Sequence, residues 1–292
     1  MPQLLDGKTT ATEIKNQIAN EVRQYTQRGL RPPHLAAILV GNDGASQTYV
    51  ANKEKSSHEV GFTSSVYRYP DTISQQQLLE TINFLNNDND VDGFIVQLPL
   101  PQTINQQAVI NAINPAKDVD GFTPVNLGNM VLGEESFLPA TPKGICTLLS
   151  HFNIPTSGKH CVVVGRSNIV GTPAANLLSR KGIDCTVTLC HSRTANLAEL
   201  TRQADILVVA IGKPEFITAD MVKQGAVVID VGIHRVEDAT RKSGYRLLGD
   251  VKHDEVDPKC SWVTPVPGGV GPLTIVSLLQ NTMQSYKRTM CL

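Results

Sequence analysis

Short apolar runs alternate with helical patterns along this chain, and the alternation limits the fold more than any other feature of the sequence. Each step from a strand to a helix and back predicts a right-handed crossover onto a parallel sheet. The sequence therefore predicts an α/β fold. In the first half, the predicted strands cover residues 35–40, 64–69 and 93–98, and the predicted helices cover residues 46–60 and 74–85.

A second series with the same alternation begins near Cys161 and has the spacing of a doubly wound nucleotide-binding sheet. No internal repeat is evident in the sequence. Between the two series, residues 126–139 are rich in Gly, Asn and Pro, and we expect a linker there. Thr141 as N-cap and Pro142 at the first helical position then predict a helix. The second series consists of predicted strands at 161–165, 186–190, 205–211 and 226–231 and predicted helices at 172–180, 195–204 and 218–223.

Local signals mark the ends of the first two helices. Ser46 is expected to open the first of them, and Gly61 stands where a left-handed C-cap residue is needed after it. Ser74 and Gln77 have the spacing of a capping box at the start of the second. These signals fix the helix boundaries expected in the first half.

Length and composition exclude several classes of protein. The 292 residues suffice for two compact domains, because single cores stop growing near about 250 to 300 residues; one very large domain is the alternative. With 26 Lys and Arg against 27 Asp and Glu, the net charge is -1, so we expect neither nucleic acid nor an anionic membrane as a partner. The longest apolar runs are far shorter than the ~20 residues of a membrane helix.

The cysteines and the N-terminus indicate the compartment. The six cysteines form neither C-x-x-C pairs nor a compact framework, which predicts free thiols in a reducing cytoplasm. Residues 1–10 lack the basic and apolar regions of a signal peptide, so we expect them to belong to the mature fold. The cytoplasm is the predicted location.

The strongest motif is an apolar strand that runs through a glycine turn into a capped helix, Val162–Pro173 (VVVGRSNIVGTP). This order directs free backbone N–H groups and the positive end of a helix at a phosphate. Ser167 replaces the middle glycine of G-x-G-x-x-G, so a tight turn needed only for packing is the alternative. The position at the start of a full series of β and α elements favours dinucleotide binding at Gly165, Arg166 and Ser167.

The residues after the next strand predict which dinucleotide is bound. An acid at this point accepts the ribose 2′-OH of NAD. Here the strand ends Leu189-Cys190-His191-Ser192-Arg193, without a carboxylate. Arg166, Ser192 and Arg193 can instead donate to a 2′-phosphate, which favours NADP, although each arginine could be only a solvated surface charge.

A candidate substrate site lies in the first half. Tyr49 and Lys53 stand four residues apart on one predicted helix, so they project from the same face and could orient a substrate and move protons. Gln97 is a polar amide near the end of a buried strand, where α/β sheets bind ligands. The alternatives are a solvated Lys53, a packed Tyr49 and a satisfied core amide at Gln97.

Two more segments are candidates for ligand contact. Asp118-Val119-Asp120-Gly121 brings carboxylates near the expected cleft, although Asp before Gly is more often a turn former. Residues 264–274 (TPVPGGVGPLT) predict a rigid loop whose backbone can lie against a flat ligand, or a hinge back to the first domain. No His, Cys and acid cluster has metal-ligand spacing and no G-x-S-x-G is present, so we expect neither a catalytic metal nor an acyl-enzyme serine.

Taken together, these segments resemble the bifunctional methylenetetrahydrofolate dehydrogenase and methenyltetrahydrofolate cyclohydrolase family, and the resemblance spans nearly the whole chain. It rests on several separated motifs that are jointly specific. They are Asp6-Gly7-Lys8, Ser46–Val50 with Lys53, Val96–Pro101, Lys117–Gly121, Gly165–Ser167 with Val170–Pro173, and Pro267–Pro272.

The resemblance implies a role for each candidate residue. It assigns proton transfer to Lys53, tuned by Gln97, with Tyr49 packing on the folate and positioning the water and Asp120 accepting hydrogen bonds from the pterin. The implied partners are tetrahydrofolate derivatives, with NADP as the cofactor, and the implied assembly is a homodimer built through the cofactor domain. Further substrate contacts are implied for Leu98, Pro99, Gly268, Gly269 and Pro272, and cofactor contacts for Gly165, Arg166, Ser167, Ser192, Arg193, Ile233 and Thr274.

We therefore expect two domains. Residues 1–139 form an α/β folate-binding catalytic domain, completed by a last helix at 273–292 that returns to it. Residues 140–272 form a Rossmann-type, doubly wound, NADP-binding domain.

Two rival functions remain open at this point. A dehydrogenase of small hydroxy or amino acids has the same two-domain plan, and Lys53 could be its acid-base partner. An NADP-sensing module without catalysis is the non-enzymatic alternative. The presence of Tyr49, Lys53, Gln97 and Asp120 together argues against the sensor.

Overall fold

The computed structural model describes residues 2–241 and 244–292. The chain divides into two compact units, which are named here by their sheets. The six-stranded unit comprises Met1–Ala11 and Thr141–Thr274, and the three-stranded unit comprises Thr12–Ala140 and Ile275–Leu292. The elements in chain order are β1 (Gln3–Leu4), α1 (Gly7–Gln27), β2 (His34–Val40), α2 (Gly44–Glu59), β3 (Thr63–Tyr69), α3 (Gln75–Asn87), β4 (Gly93–Val96), α4 (Gln106–Ala112), α5 (Pro124–Leu132), α6 (Ala140–His151), β5 (His160–Val164), α7 (Gly171–Ser179), β6 (Thr186–Cys190), α8 (Leu197–Thr201), β7 (Ile206–Val209), β8 (Val227–Asp230), β9 (His234–Glu237), β10 (Tyr245–Leu248), α9 (His253–Val256), β11 (Trp262–Val263) and α10 (Val270–Thr289).

In the three-stranded unit, a parallel sheet in the order β3-β2-β4 is covered by helices on both faces. One core packs α1, α2 and α10 against the sheet, with Val22, Val50 and Leu278 among its buried members. The other core packs α3 and α4 against the opposite face, with Leu78 and Val109 buried in it. The predicted α/β class is confirmed, and the two strands buried on both faces, β2 and β4, are nearly continuous apolar runs.

The ends of α2 and α3 follow from their capping residues. The capping box of Ser74 and Gln77 at the start of α3 is present as predicted. Gly61 has the predicted left-handed conformation, with φ of +86°. The expected start of α2 at Ser46 was wrong by two residues, because the Asp43 side chain caps the helix and accepts the Ser46 N–H at 2.8 Å.

The last helix, α10, is anchored to the three-stranded unit by buried hydrogen bonds. Asn281 donates to the carbonyls of Val119 and Leu138 at 2.8 and 2.9 Å. Ser285 donates to the carbonyl of Asp92 and Tyr286 to that of Arg31. The predicted return of the last helix to the first domain is confirmed.

In the main sheet of the six-stranded unit, the strands lie in the order β1-β11-β8-β7-β5-β6, and every neighbouring pair is parallel. The chain reverses direction across the sheet at β5, with β6 on one side and β7 on the other. This is the doubly wound arrangement predicted from the sequence. An antiparallel ribbon of β9 and β10 lies outside the main sheet.

Several predicted boundaries were wrong. The domain bounds are a separate matter: residues 2–11 precede the first domain's helices in sequence, and the pairing of β1 with β11 packs them in the six-stranded unit. The expected linker at 126–139 contains most of α5, which Thr123 caps and Pro124 begins. Helix α6 begins at Ala140, so Thr141 lies inside it. The helices expected at 195–204 and 218–223 shorten to α8 and to the 3-10 turn Ala219–Met221, because loop geometry at their ends overrides helical periodicity.

The same hydrogen-bond pattern occurs once within each unit, although the sequence shows no repeat. In each, the histidine that begins a central strand donates its backbone N–H to an Asp before one neighbouring strand, and its ring bonds a hydroxyl on the other. The sequence separations differ, at 58 and 31 residues in one unit and 45 and 28 in the other, which hides the repeat. The groups are His34, Asp92 and Ser65, and His160, Asp205 and Thr188.

Among the described residues, no helix is both long enough and apolar enough to cross a bilayer.

Candidate active site

Lys53 lies inside the three-stranded unit rather than in solvent. It is 6 % exposed on the face of α2, one turn after Tyr49, and its Nζ lies 5.4 Å from the centre of the Tyr49 ring. Nζ donates to Gln97 Oε1 at 3.2 Å. The spacing of four residues that suggested a shared face thus brings the ammonium and the ring together.

Gln97 is held at the carboxyl end of the sheet by its own bonds. Its backbone N–H donates to the carbonyl of Ile38 at 2.9 Å, and its side-chain Nε2 donates to the carbonyl of Leu98 at 2.7 Å. With Nε2 engaged, Oε1 is turned to Lys53. The next peptide bond, between Leu98 and Pro99, is cis.

Asp120 is the electrostatic partner of Lys53. Burial lowers the pKa of Lys53, and the attraction of Asp120 opposes that shift. Burial likewise raises the pKa of Asp120, which the charge of Lys53 opposes. A lysine in this setting exchanges its proton closer to neutral pH than a solvated one, which suits a general base or acid.

The two acids of Asp118–Gly121 have different tasks. Asp118 accepts the backbone N–H groups of Phe122 and Thr123 and the Asn126 side chain, so it builds the turn. Within residues 2–241 and 244–292, no group donates a hydrogen bond to the Asp120 carboxylate. Asp120 is therefore the acid whose acceptor oxygens are available to a ligand, and the turn-forming alternative applies to Asp118.

In the six-stranded unit, the glycine turn after β5 is packed so closely that only glycine fits. Gly165 has φ of +118°, and a Cβ on it would lie 2.1 Å from the Ala210 carbonyl oxygen. A Cβ on Gly171 would lie 1.8 Å from the Gly165 carbonyl oxygen. These contacts explain the first and last glycines of the motif, whereas Ser167 replaces the middle one because its Oγ accepts the Val170 N–H at 3.2 Å.

The turn and the end of β6 present donors at the same edge of the sheet. No described group accepts the backbone N–H groups of residues 166–169. Val164 pairs with Cys190, so Arg166 and Ser192 each follow their strand by two residues. Arg166, Ser192 and Arg193 are exposed. This donor set fits a dinucleotide that carries an extra phosphate on its ribose.

The glycine-rich loop before α10 is fastened within the six-stranded unit. The Lys8 N–H donates to the Gly268 carbonyl at 3.0 Å, and a Cβ on Gly269 would lie 2.6 Å from the Thr264 Cβ. The Thr274 hydroxyl lies 3.0 Å from that of Thr141. Gly268, Gly269, Pro272 and Thr274 therefore belong to the six-stranded unit, whereas Tyr49, Lys53, Gln97, Leu98, Pro99 and Asp120 belong to the three-stranded unit.

Sequence reasoning did not single out three further groups in the six-stranded unit. Burial lowers the pKa of Lys143, on α6, to about 8. Asp230 and Asp250 are buried carboxylates that bind several backbone N–H groups. The available signals were an Asp at the end of an apolar run and a Gly-Asp-Val sequence at 249–251. Ile233, for which a cofactor contact was expected, follows Asp230 by three residues after β8 and is 54 % exposed.

Comparison with known proteins decides the family. The catalytic-domain model of tetrahydrofolate dehydrogenase/cyclohydrolase matches residues 5–120, and its NAD(P)-binding-domain model matches residues 139–290. This chain belongs to the tetrahydrofolate dehydrogenase/cyclohydrolase family. The prediction of the family from the sequence is confirmed. The second match extends over α10, although that helix packs within the three-stranded unit from Ile275 onward.

Individual relatives cover the whole chain. The bifunctional protein FolD of Porphyromonas gingivalis is 59 % identical over 98 % of this chain and 97 % of its own. The crystal structure of the bifunctional FolD dehydrogenase/cyclohydrolase of Campylobacter jejuni is 45 % identical, covers 99 % of each chain and has a TM-score of 0.92. The Trypanosoma brucei dehydrogenase-cyclohydrolase, complexed with NADP cofactor and inhibitor, is 37 % identical over 99 % of this chain and 98 % of its own, with a TM-score of 0.94.

Proposed function

We propose that Lys53 carries the proton transfers of a folate cyclohydrolase whose substrate is produced by the chain's own dehydrogenase activity. The chain oxidises 5,10-methylenetetrahydrofolate to 5,10-methenyltetrahydrofolate with NADP and hydrolyses that product to 10-formyltetrahydrofolate. The observation that carries the proposal is the buried Lys53 ammonium bonded to Gln97, with Asp120 as its electrostatic partner.

The dehydrogenase step needs little from acid-base groups. Loss of a hydride from the carbon between two nitrogens leaves a cation that those nitrogens stabilise, so orientation dominates the rate. NADP, when bound, accepts the hydride. Tyr49 packs against the folate, and Asp120 accepts hydrogen bonds from the pterin ring. Leu98, Pro99, Gly268, Gly269 and Pro272 complete the substrate contacts in this proposal.

The hydrolysis step is where Lys53 acts. A water molecule that Tyr49 positions adds to the methenyl carbon, forming a C–O bond, and neutral Lys53 takes a proton from it. The bond from that carbon to N5 then breaks, and its electron pair stays on N5, which receives the proton from Lys53. The remaining hydroxyl proton leaves to solvent as the formyl group forms. Gln97 keeps Nζ in place through both transfers.

The six-stranded unit holds the cofactor in this proposal. Gly165, Arg166 and Ser167 contact the phosphates, Ser192 and Arg193 the 2′-phosphate, Ile233 the nicotinamide through its backbone, and Thr274 the cofactor from the last loop. The open N–H groups of residues 166–169 support the phosphate assignment. The relative from Trypanosoma brucei was solved with NADP, which supports the choice of dinucleotide.

The proposed division of labour follows the two family domains. Residues 1–139 with 273–292 supply the folate site, and residues 140–272 supply the NADP site. In sequence, β1 and the start of α1 belong to the first of these ranges, but they pack in the six-stranded unit.

We also propose a cytoplasmic homodimer that associates through the cofactor domain. Six free cysteines fit a reducing compartment. Light scattering at twice the chain mass of 31.6 kDa would support the dimer.

An assay that follows two products tests the proposed function. The protein is mixed with methylenetetrahydrofolate and NADP, and absorbance is recorded for both NADPH and the methenyl compound. We expect both to form and the methenyl compound then to be consumed. A panel of small hydroxy and amino acids serves as the comparison. Turnover of one of those acids, without turnover of the folate, would contradict the proposal and favour the rival dehydrogenase.

A further inference from the structure

Asp250 is a fully buried carboxylate that joins two separate segments of the six-stranded unit. Its Oδ2 accepts the backbone N–H groups of Ile211 and Gly212 at 2.8 and 3.0 Å. Its Oδ1 accepts the Lys213 N–H at 2.8 Å and bonds His234 Nε2 at 2.7 Å. Four donors thus bond the two oxygens of Asp250. A helix cap or a turn uses fewer donors on one carboxylate, so this arrangement needs both acceptor oxygens.

The first of these segments, residues 211–213, forms a wall of the crevice where the sheet reverses direction. It follows β7, the neighbour of β5, whose glycine turn forms the other wall. The two walls are in close contact, since a Cβ on Gly165 would lie 2.1 Å from the Ala210 carbonyl oxygen. In open α/β sheets, dinucleotides bind across this crevice.

The second segment follows β8 and contains Ile233 and His234. The bond from His234 to Asp250 therefore fixes the chain directly beside Ile233. Asp250 is itself held, since its backbone N–H donates to Asp230 Oδ1 at 3.0 Å. A Cβ on Gly232 would lie 2.5 Å from the Asp250 carboxyl carbon, so this chain also lies directly on the carboxylate.

We propose that Asp250 is a positioning residue that holds residues 211–213 and the segment at Ile233 and His234 in place before the cofactor binds. The inference rests on the proposed function, in which Ile233 lies beside the nicotinamide. It goes beyond that function by naming a group that touches neither cofactor nor folate and still sets the distance for hydride transfer.

The replacement Asp250→Asn tests the requirement for two acceptor oxygens with almost no change in volume. An asparagine has one acceptor oxygen, so the N–H groups facing its amide nitrogen lose their partner. We expect faster hydrogen–deuterium exchange at residues 211–213 in the protein without cofactor. We also expect weaker NADP binding in a fluorescence titration, and a loss on the order of 100-fold in the kcat of hydride transfer, as a displacement of about 1 Å produces.

Hydrolysis of supplied methenyltetrahydrofolate, measured without NADP, is the internal reference. It depends on Lys53 in the other unit, and we expect the rate to stay at the wild-type value. The matched control is Asp205→Asn, which alters a carboxylate at the opposite end of the same sheet, where it bonds His160 and Lys223. This control should leave the exchange of residues 211–213 and NADP binding unchanged.

If Asp250→Asn does not fold, His234→Leu removes only the bond to the second segment and is expected to weaken NADP binding while keeping residues 211–213 protected. Unchanged NADP binding in each of these variants that folds, or a parallel loss of hydrolysis and hydride transfer, would overturn the role of Asp250. Failure of the proposed function is a separate outcome, because the wild-type protein would then neither bind NADP nor oxidise the folate.

Discussion

At the scale of single residues, the proposed chemistry depends on Lys53, a charged group that the fold buries away from water. Lys53 stays buried because Gln97 supplies an acceptor and Asp120 an opposite charge. Burial lowers the pKa of Lys53, and the negative charge of Asp120 raises it. The pKa of Lys53 therefore depends on whether Asp120 is present and charged. The role of Lys53 thus has a pH signature.

The pH profile of hydrolysis is expected to follow Lys53. The neutral amine accepts the proton from water, so kcat should rise with pH and level off at a pKa below the ordinary 10.5 of lysine. In Asp120→Asn the attraction that raises this pKa is gone, and the rising limb should move to lower pH. Hydrolysis rates measured from pH 5 to 10 for both proteins would show this shift. A rising limb that stays at the same pH in Asp120→Asn, or moves to higher pH, would contradict the electrostatic effect of Asp120 on Lys53.

Cofactor choice is also a matter for single side chains. We expect the wild-type protein to bind NADP more tightly than NAD. Ser192→Asp places a carboxylate after β6 and should weaken NADP binding by about 100-fold, because the juxtaposition of like charges costs several kcal/mol. Titration of both cofactors measures the effect, with Ser179→Asp, an exposed change at the end of α7, as control. Tighter binding of NAD by the wild-type protein would refute the NADP assignment.

At the scale of elements, the last helix is specified by buried polar groups rather than by its apolar face alone. Asn281 binds two carbonyls in the interior, and no apolar residue can replace it without leaving both unpaired. The prediction that this helix returns to the first domain came from the interpretation of residues 264–274 as a hinge. The three polar anchors of α10 could not be predicted, because their partners are distant in sequence.

Asn281→Leu should lower the free energy of unfolding by about 2 kcal/mol or more, since each buried carbonyl left without a donor costs roughly 1 to 3 kcal/mol. Urea denaturation measures the change. Gln280→Leu, on the same helix at a half-buried position, is the comparison and should alter stability far less. Equal effects of the two changes would show that these hydrogen bonds do not anchor the helix.

The segment after β10 is held by His253, whose charge depends on pH. Burial lowers its pKa, but hydrogen bonds to Asp230 and Asp257 outweigh burial and leave the pKa above the ordinary 6.5. The stabilisation is therefore fully present below pH 6.5 and is lost as pH rises through the raised value. The stability difference between wild type and His253→Gln should be larger at pH 6 than at pH 9. A difference independent of pH would contradict this sign.

At the scale of the whole molecule, periodicity was enough to predict the three strands of one sheet and four of the six strands of the other, but not β1 and β11. The pairing of β1 with β11 could not be predicted, because the two strands are far apart in sequence. Residues 126–139 resembled a linker because Gly and Asn are abundant, yet Thr123 and Pro124 start a helix there. Tyr49, Lys53 and Gln97 could be predicted to lie together, but the burial that perturbs Lys53 could not.

The central claim is that one methenyl carbon formed by hydride loss is then hydrolysed with the help of Lys53. Lys53→Met tests it most directly, with the folate and NADP supplied and both products followed by absorbance. We predict that the variant folds, binds NADP and cannot hydrolyse the methenyl compound, which is therefore never consumed. Hydrolysis at the wild-type rate in this variant would contradict the account.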